Sequence, residues 1–182
     1  RYLDRSTLDE PSVALAAAAR EALRIADTIE IMFEQSLEVL LGNDRKLRRV
    51  IQDMDDVVDS LYEQVKLFLI DASKRELDET QSRRYVEILG FTTNLEHIGD
   101  IIDNNLMDLA TKKIKHKLNF STQGMAEIEA LHRQVHDAMR LGYSLFVSGD
   151  VAMARRLVAG KAEFRHGIEA ASESHLDRLR SE

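Results

Sequence analysis

The chain has 182 residues and 20.7 kDa, enough to bury a sizeable core, and its lack of cysteine excludes a disulfide framework, a thiolate metal site and a cysteine nucleophile. One proline, no tryptophan, 5% aromatic and 31% charged residues argue against a β-sandwich and for a helical bundle. A net charge of -7 and a pI near 5.4, with no long basic run, argue against nucleic acid as a partner.

Asp9-Glu10-Pro11-Ser12 starts the first helix, because Pro11 lacks the donor that a first turn leaves unpaired. Leu15, Ala19, Ala22, Ala26, Ile29, Phe33, Leu37 and Leu40 recur every three or four residues and carry it to about residue 41. Gly42-Asn43 stops it, Gly42 supplying the permissive backbone and Asn43 capping a second helix over about 44–73. A polar link from Lys74 to Glu79 leads to a third helix over about 80–116, which fades through the basic Lys112 to Lys117. Asn119 to Gly124 is the next break, with Ser121 or Thr122 as cap. Helices over about 122–147 and 150–180 follow, parted at Ser148-Gly149-Asp150. At 1.5 Å rise per residue such helices build a bundle roughly 40 to 50 Å long.

A shift of 107 positions superposes Gly42-Asn43 on Gly149-Asp150 and Arg48-Arg49-Val50-Ile51 on Arg155-Arg156-Leu157-Val158. We therefore expect a three-helix unit over 1–118 and a second, incomplete unit over 119–182, whose third helix would follow Glu182. The chain opens at Arg1 without methionine and ends within a helix, which reads as a fragment of something longer. No run approaches the ~18 to 20 apolar residues of a membrane span, so a soluble piece is expected. The uncovered last two helices suggest a homodimer.

Chemistry concentrates on the second and third helices. Asp55 lies one turn from Asp59, and Glu96 one turn from Asp100, so each helix presents two carboxylates on one face. Counted from Leu77 in the link, Asp59 and Glu96 are each about 18 to 19 residues away and Asp55 and Asp100 about 22 to 23, so a hairpin sets all four at one level. Such acids are by default a solvated helix face. Packed together they invite a cation held by hard oxygen ligands, with Asp103 and Asn104 one turn further. Gly99 fits a close approach of the two helices. A rival set, Glu129-x-x-His132 and Glu163-x-x-His166, is half of a di-iron carboxylate bundle, although His166 falls on the side away from the core. His132 and His136 sit one turn apart but lack the glutamate of a zinc-protease helix.

Asn94-Leu95-Glu96-His97-Ile98-Gly99-Asp100, followed by Asn104, resembles the Leu-Glu-Arg-Ile-Gly-Asp motif of PhoU, and Asp55-x-x-x-Asp59 is similar to its companion acid motif. Tyr2-Leu3-Asp4, Leu8, Pro11, the alanine run and Arg20-Glu21 resemble the junction where sodium/phosphate cotransporters pass into a cytosolic PhoU-like domain. The resemblance covers essentially the whole chain. It implies an all-α, elongated antiparallel helix bundle of PhoU type, with two pseudo-repeated three-helix units, the second lacking its last helix. It implies a regulatory, non-enzymatic domain of a sodium-dependent phosphate transporter at the cytoplasmic face of the inner membrane. The partners so implied are the transmembrane portion of the same polypeptide, and phosphate or phosphate-signalling proteins. It also implies that Asp55, Asp59, Glu96 and Asp100 bind divalent or trivalent metal ions, with Fe, Mn, Mg, Zn and Ni not distinguished. His97 stands where PhoU has arginine and adds a nitrogen donor. In the second repeat the positions equivalent to Asp55 and Asp59 are Ala162 and His166, which leaves His166 as the donor there. Two other readings stay open: a ferritin-like di-iron oxidase, and a metal-free helical interaction module.

Overall fold

The computed structural model describes residues 2–181. It contains α1 (Pro11–Gly42), α2 (Arg45–Ala72), α3 (Glu79–Asp100), α4 (Met107–Lys115), α5 (Thr122–Ser148) and α6 (Val151–Ser181), with no strand among the described residues. A short 3-10 turn, Arg5–Asp9, precedes α1, and a π-helical turn, Ile101–Leu106, joins α3 to α4. The expected all-α bundle is what forms.

α1 is the centre. It packs against α2, α3, α4, α5 and the 3-10 turn, so more than one face of it must be apolar. Ala14, Ala18, Ala22, Ile25, Ile29 and Met32 are all fully buried. The alanines let neighbouring helices come close, and each large side chain removed from water contributes about 1.5–3 kcal/mol. Several of the polar groups buried with them are hydrogen-bonded. Ser36 donates to the Phe33 carbonyl at 2.6 Å and Thr92 to the Ile88 carbonyl at 2.6 Å. Glu21, with no exposure at all, accepts from the Tyr2 backbone N–H at 2.8 Å and pairs with Arg24.

The breaks have assignable causes. Asn43, not Gly42, takes the left-handed backbone after α1, at φ 59°, a conformation asparagine tolerates better than most residues. The cap of α2 is therefore Asp44, whose carboxylate accepts from the Lys46 and Leu47 amides. Asp78 and Gln81 form a reciprocal capping box at the start of α3 within the polar link. Gly149, at φ 65°, ends α5, and Asp150 accepts from the Ala152 amide at the start of α6. Lys113 donates to Asn43 Oδ1 at 2.7 Å and so ties α4 to the α1–α2 turn.

The α5–α6 hairpin joins the rest through α5. Near one end of α5, Phe146 stacks on Phe91 at 3.9 Å and its carbonyl accepts from Arg84; towards the other, His132 stacks on Phe33 at 4.0 Å. α6 packs mainly on α5, and Val158, Leu176 and Leu179 remain more than half exposed. Its last turns are held by Arg178, which makes two 2.8 Å bonds to Glu127, with Ser174 and Gln123 completing the network. Hydrogen bonds from Arg178 and Ser174 hold the Glu127 carboxyl down at about 2. A depressed carboxyl contributes stability that is complete above its ordinary value and lost as pH falls towards 2. Arg178→Ala is thus expected to raise amide hydrogen exchange in the last third of α6 while α1 to α3 stay protected. The same selective loosening should appear in the parent on acidification. Unchanged exchange in α6 would show that the network does not hold it.

Candidate metal centre

The acid motifs lie where α2 and α3 pass each other. Asp55 faces inward and is 8% exposed, while Asp59, one turn on, is exposed. Gly99 makes the close passage: a Cβ there would lie 2.7 Å from Asp55 Oδ1 and 3.1 Å from Ile29 Cδ1. Any side chain at position 99 would push the Asp55 carboxylate aside. Glu96, His97 and Asp100 offer ligand atoms all within 4.8 Å of one another, and His97 Nδ1 lies 3.1 Å from Glu96 Oε2. Asn104 donates to Asp100 Oδ1 at 3.2 Å. The π-helical turn begins at the next residue, with the Met107 amide bonded five residues back to the Ile102 carbonyl, and it carries Asp103 into the same neighbourhood. π-turns are rare and occur often at functional sites.

The electrostatics define one connected acid field. Burial first, then the charges of Asp59, Asp103, Asp100 and Asp56, push the Asp55 carboxyl up to about 7. Asp59 is raised by burial and by Asp100, Asp56 and Glu63. Asp103 is raised by burial, with Arg48 opposing the rise. Asp55 Oδ1 and Asp103 Oδ1 are both buried and neither has a hydrogen-bond partner. A buried, unpartnered carboxylate oxygen costs free energy unless something neutralises it. Hard carboxylate donors around such an oxygen fit a hard cation, which supplies positive charge and accepts no hydrogen bond.

His166 is exposed on α6, and it, like Asp55 and Asp59, belongs to neither group of metal-ligating side chains that converges among the described residues, so of the four expected ligands only Glu96 and Asp100 are brought together at ligand distance. The rival Glu-x-x-His pairs do not converge either: Glu129, Glu163 and His166 are exposed, and His132 turns onto α1, its Nε2 at 2.8 Å from the Phe33 carbonyl. Sequence reasoning passed over Arg48, the cation facing Asp103. Its signal was present, since Arg48 lies about two helical turns before Asp55 on α2. The π-turn had no comparable signal.

The six helices form an all-α bundle with paired acid turns on two adjoining helices. Residues 22–109, which contain all four acids, match the family model of the PhoU domain. The chain is 40% identical over 179 residues to proteins named "Putative inorganic phosphate export protein YjbB" from Escherichia coli K12, Shigella flexneri and Salmonella typhimurium LT2. The match covers 98% of this chain and 33% of each relative, so the chain spans about a third of the length of the curated relatives it matches. No solved structure matches. No helix among the described residues is long and apolar enough to cross a membrane.

A carboxyl raised in the folded state destabilises the fold once it ionises. The loss begins above the unfolded value near 3.8 and is complete above about 7. Metal-stripped protein is therefore expected to unfold more easily at pH 8 than Asp55→Asn does, by at most about 4 kcal/mol at 1.36 kcal/mol per unit, with the two converging at pH 4. The comparison with the variant separates Asp55 from His132, whose lowered value, set chiefly by burial, acts with the opposite sign. Denaturant titrations at the two pH values measure the difference. Parallel pH profiles for parent and variant would refute the assignment.

Proposed function

We propose that this chain is the regulatory portion of a larger phosphate-transport protein, and that metal bound at the α2–α3 acid face is the element through which it acts. The observation that carries this reading is Asp55: a carboxylate 8% exposed, its Oδ1 without a partner, held against Gly99 among Asp59, Asp100 and Asp103. Evolution of a soluble scaffold alone gives no reason to keep an uncompensated carboxylate there. The relatives' name speaks of phosphate export, whereas the sequence resemblance pointed to sodium-coupled uptake; the PhoU domain supports regulation of phosphate movement in either direction.

Asp55, Asp59, Glu96 and Asp100 are the proposed ligands, with His97, Asp103 and Asn104 at the margin. A bound cation of charge two or three supplies positive potential on a chain of net charge -7. Phosphate, or an acidic group of a partner, then meets an attractive patch where the bare protein repels it. In this reading Glu96, His97 and Asp100, whose ligand atoms already converge, would hold the cation, the Asp55 and Asp59 carboxylates would add negative charge beside it, and Gly99 leaves room for Asp55. The proposed partner is the transmembrane part of the same polypeptide, with this domain at the cytoplasmic face of the inner membrane. Catalysis has no part in this reading.

Iron or manganese content of protein purified without chelator or histidine tag tests the site. Stoichiometric metal in the parent is expected to fall to background in the double variant Asp59→Asn, Glu96→Gln, and in Gly99→Ala affinity is expected to drop about tenfold as the Asp55 carboxylate is displaced. Calorimetry should show phosphate binding to loaded protein and little to stripped protein. Iron or manganese undiminished in the double variant defeats the site, and equal phosphate binding by loaded and stripped protein defeats the sensing role.

A further inference from the structure

A second group of ligating side chains lies away from the acid face, in the seam between α1 and α5. Glu30 and Glu34 stand one turn apart on α1, and His136 of α5 reaches between them. His136 Nε2 lies 3.0 Å from Glu30 Oε1 and 3.2 Å from Glu34 Oε1, and the three ligand atoms all fall within 4.8 Å of one another. We propose that Glu30, Glu34 and His136 form a binding site for a zinc-like divalent ion that clamps α5 to α1, distinct in ligand chemistry and position from the acid face.

The distances are those of ligands around a small ion. Bonds of about 2.0–2.2 Å to nitrogen and oxygen at tetrahedral angles separate neighbouring donors by roughly 3.2–3.5 Å, close to what the imidazole and the two carboxylates already show. In the metal-free molecule the Nε2–H of His136 occupies the position of the ion. Binding needs Nε2 bare, with the ring proton on Nδ1, and then draws on that nitrogen and both carboxylates as donors. One nitrogen and two carboxylates favour zinc or cobalt over the magnesium-like ions that all-oxygen sites take.

The surroundings are built to hold these groups in place. His136 is largely buried, at 18% side-chain exposure, and Glu30 at 25%, so neither is a free surface side chain. One turn before His136, His132 lies parallel to the Phe33 ring and its Nε2 donates to the Phe33 carbonyl. Burial disfavours its charged form, and the stacked ring helps fix the height of α5 on α1. Leu37, Glu129, His132, Arg133 and His136 line an open cavity of about 270 Å³ beside the group, where water or an anionic oxygen completes the coordination. The competitor is Arg140, whose Nε is 3.6 Å from the same Glu30 oxygen, beyond hydrogen-bond length, and whose side chain is 67% exposed. It is free to swing aside.

Cobalt titration is the experiment, carried out on the Asp59→Asn, Glu96→Gln variant of the full chain so that the acid face does not contribute. One equivalent of Co²⁺ is expected to produce a visible d–d absorption of low-coordinate geometry, discharged by one equivalent of Zn²⁺. His136→Ala on that background should abolish the band. Glu34→Gln, at a side chain more than half exposed and harmless to folding, should weaken affinity at least about tenfold. Absence of a saturable band on the background variant overturns the proposal, as does a band of unchanged affinity in Glu34→Gln.

Discussion

One helix, α1, touches nearly every other element, and the architecture follows from what that costs. A helix exposed on one side needs an apolar stripe; a helix wrapped by neighbours needs apolar or small residues around most of its circumference. Pro11 to Gly42 meets this with alanines at 14, 18, 19, 22 and 26 and with bulk at Ile25, Ile29, Met32 and Phe33. Close approach at the alanines brings α2 and α3 in together, so the two acid motifs are not arranged by their own interactions, which are repulsive. They are forced together by the apolar core behind them, and Ile29 Cδ1 of α1 is one of the atoms that sets how near Gly99 comes. The site is strained electrostatically because the scaffold behind it is strong.

The two polar regions of the molecule differ in how that strain is met. At the acid face like charges accumulate, and burial adds to repulsion in raising Asp55, Asp59 and Asp103. In the α1–α5 seam the two carboxylates face donors instead, the His136 ring between Glu30 and Glu34 and the Arg140 guanidinium near Glu30. The first is a place where positive charge is missing; the second has hydrogen-bond donors set between its carboxylates. Both lie against α1 or one helix removed from it, so charge at either bears on the same helix.

Much of this was legible in the sequence. The stripes and the Gly42-Asn43 and Gly149-Asp150 breaks fixed where helices begin and end to within a residue or two, because helical periodicity and left-handed stops are local signals. Gly99 was legible as a close approach. The capping box at Asp78 and Gln81 was there to be read and was passed over as a polar link. Gly42 was credited with a backbone role that Asn43 performs, since either residue tolerates it and only the register of the last turn decides. The π-turn after Asp100 was hidden, since one extra residue in a helix leaves its composition unchanged. Glu30 and His136 are 106 residues apart, and no periodicity in either helix announces that they meet.

The fastening of Tyr2 to Glu21 has a mechanical consequence. Residue 21 lies about ten residues into α1, roughly 15 Å from its start. The backbone leading into the domain is thus hooked to the interior of the central helix and not merely to its first turn. A pull or twist on the chain at Tyr2 is delivered as a load at the middle of the bundle, on the helix that carries Ile29 towards Gly99 in one direction and Glu30 towards His136 in the other. The entry segment behaves as a lever with its fulcrum inside the core, and the two charged regions lie on the same beam.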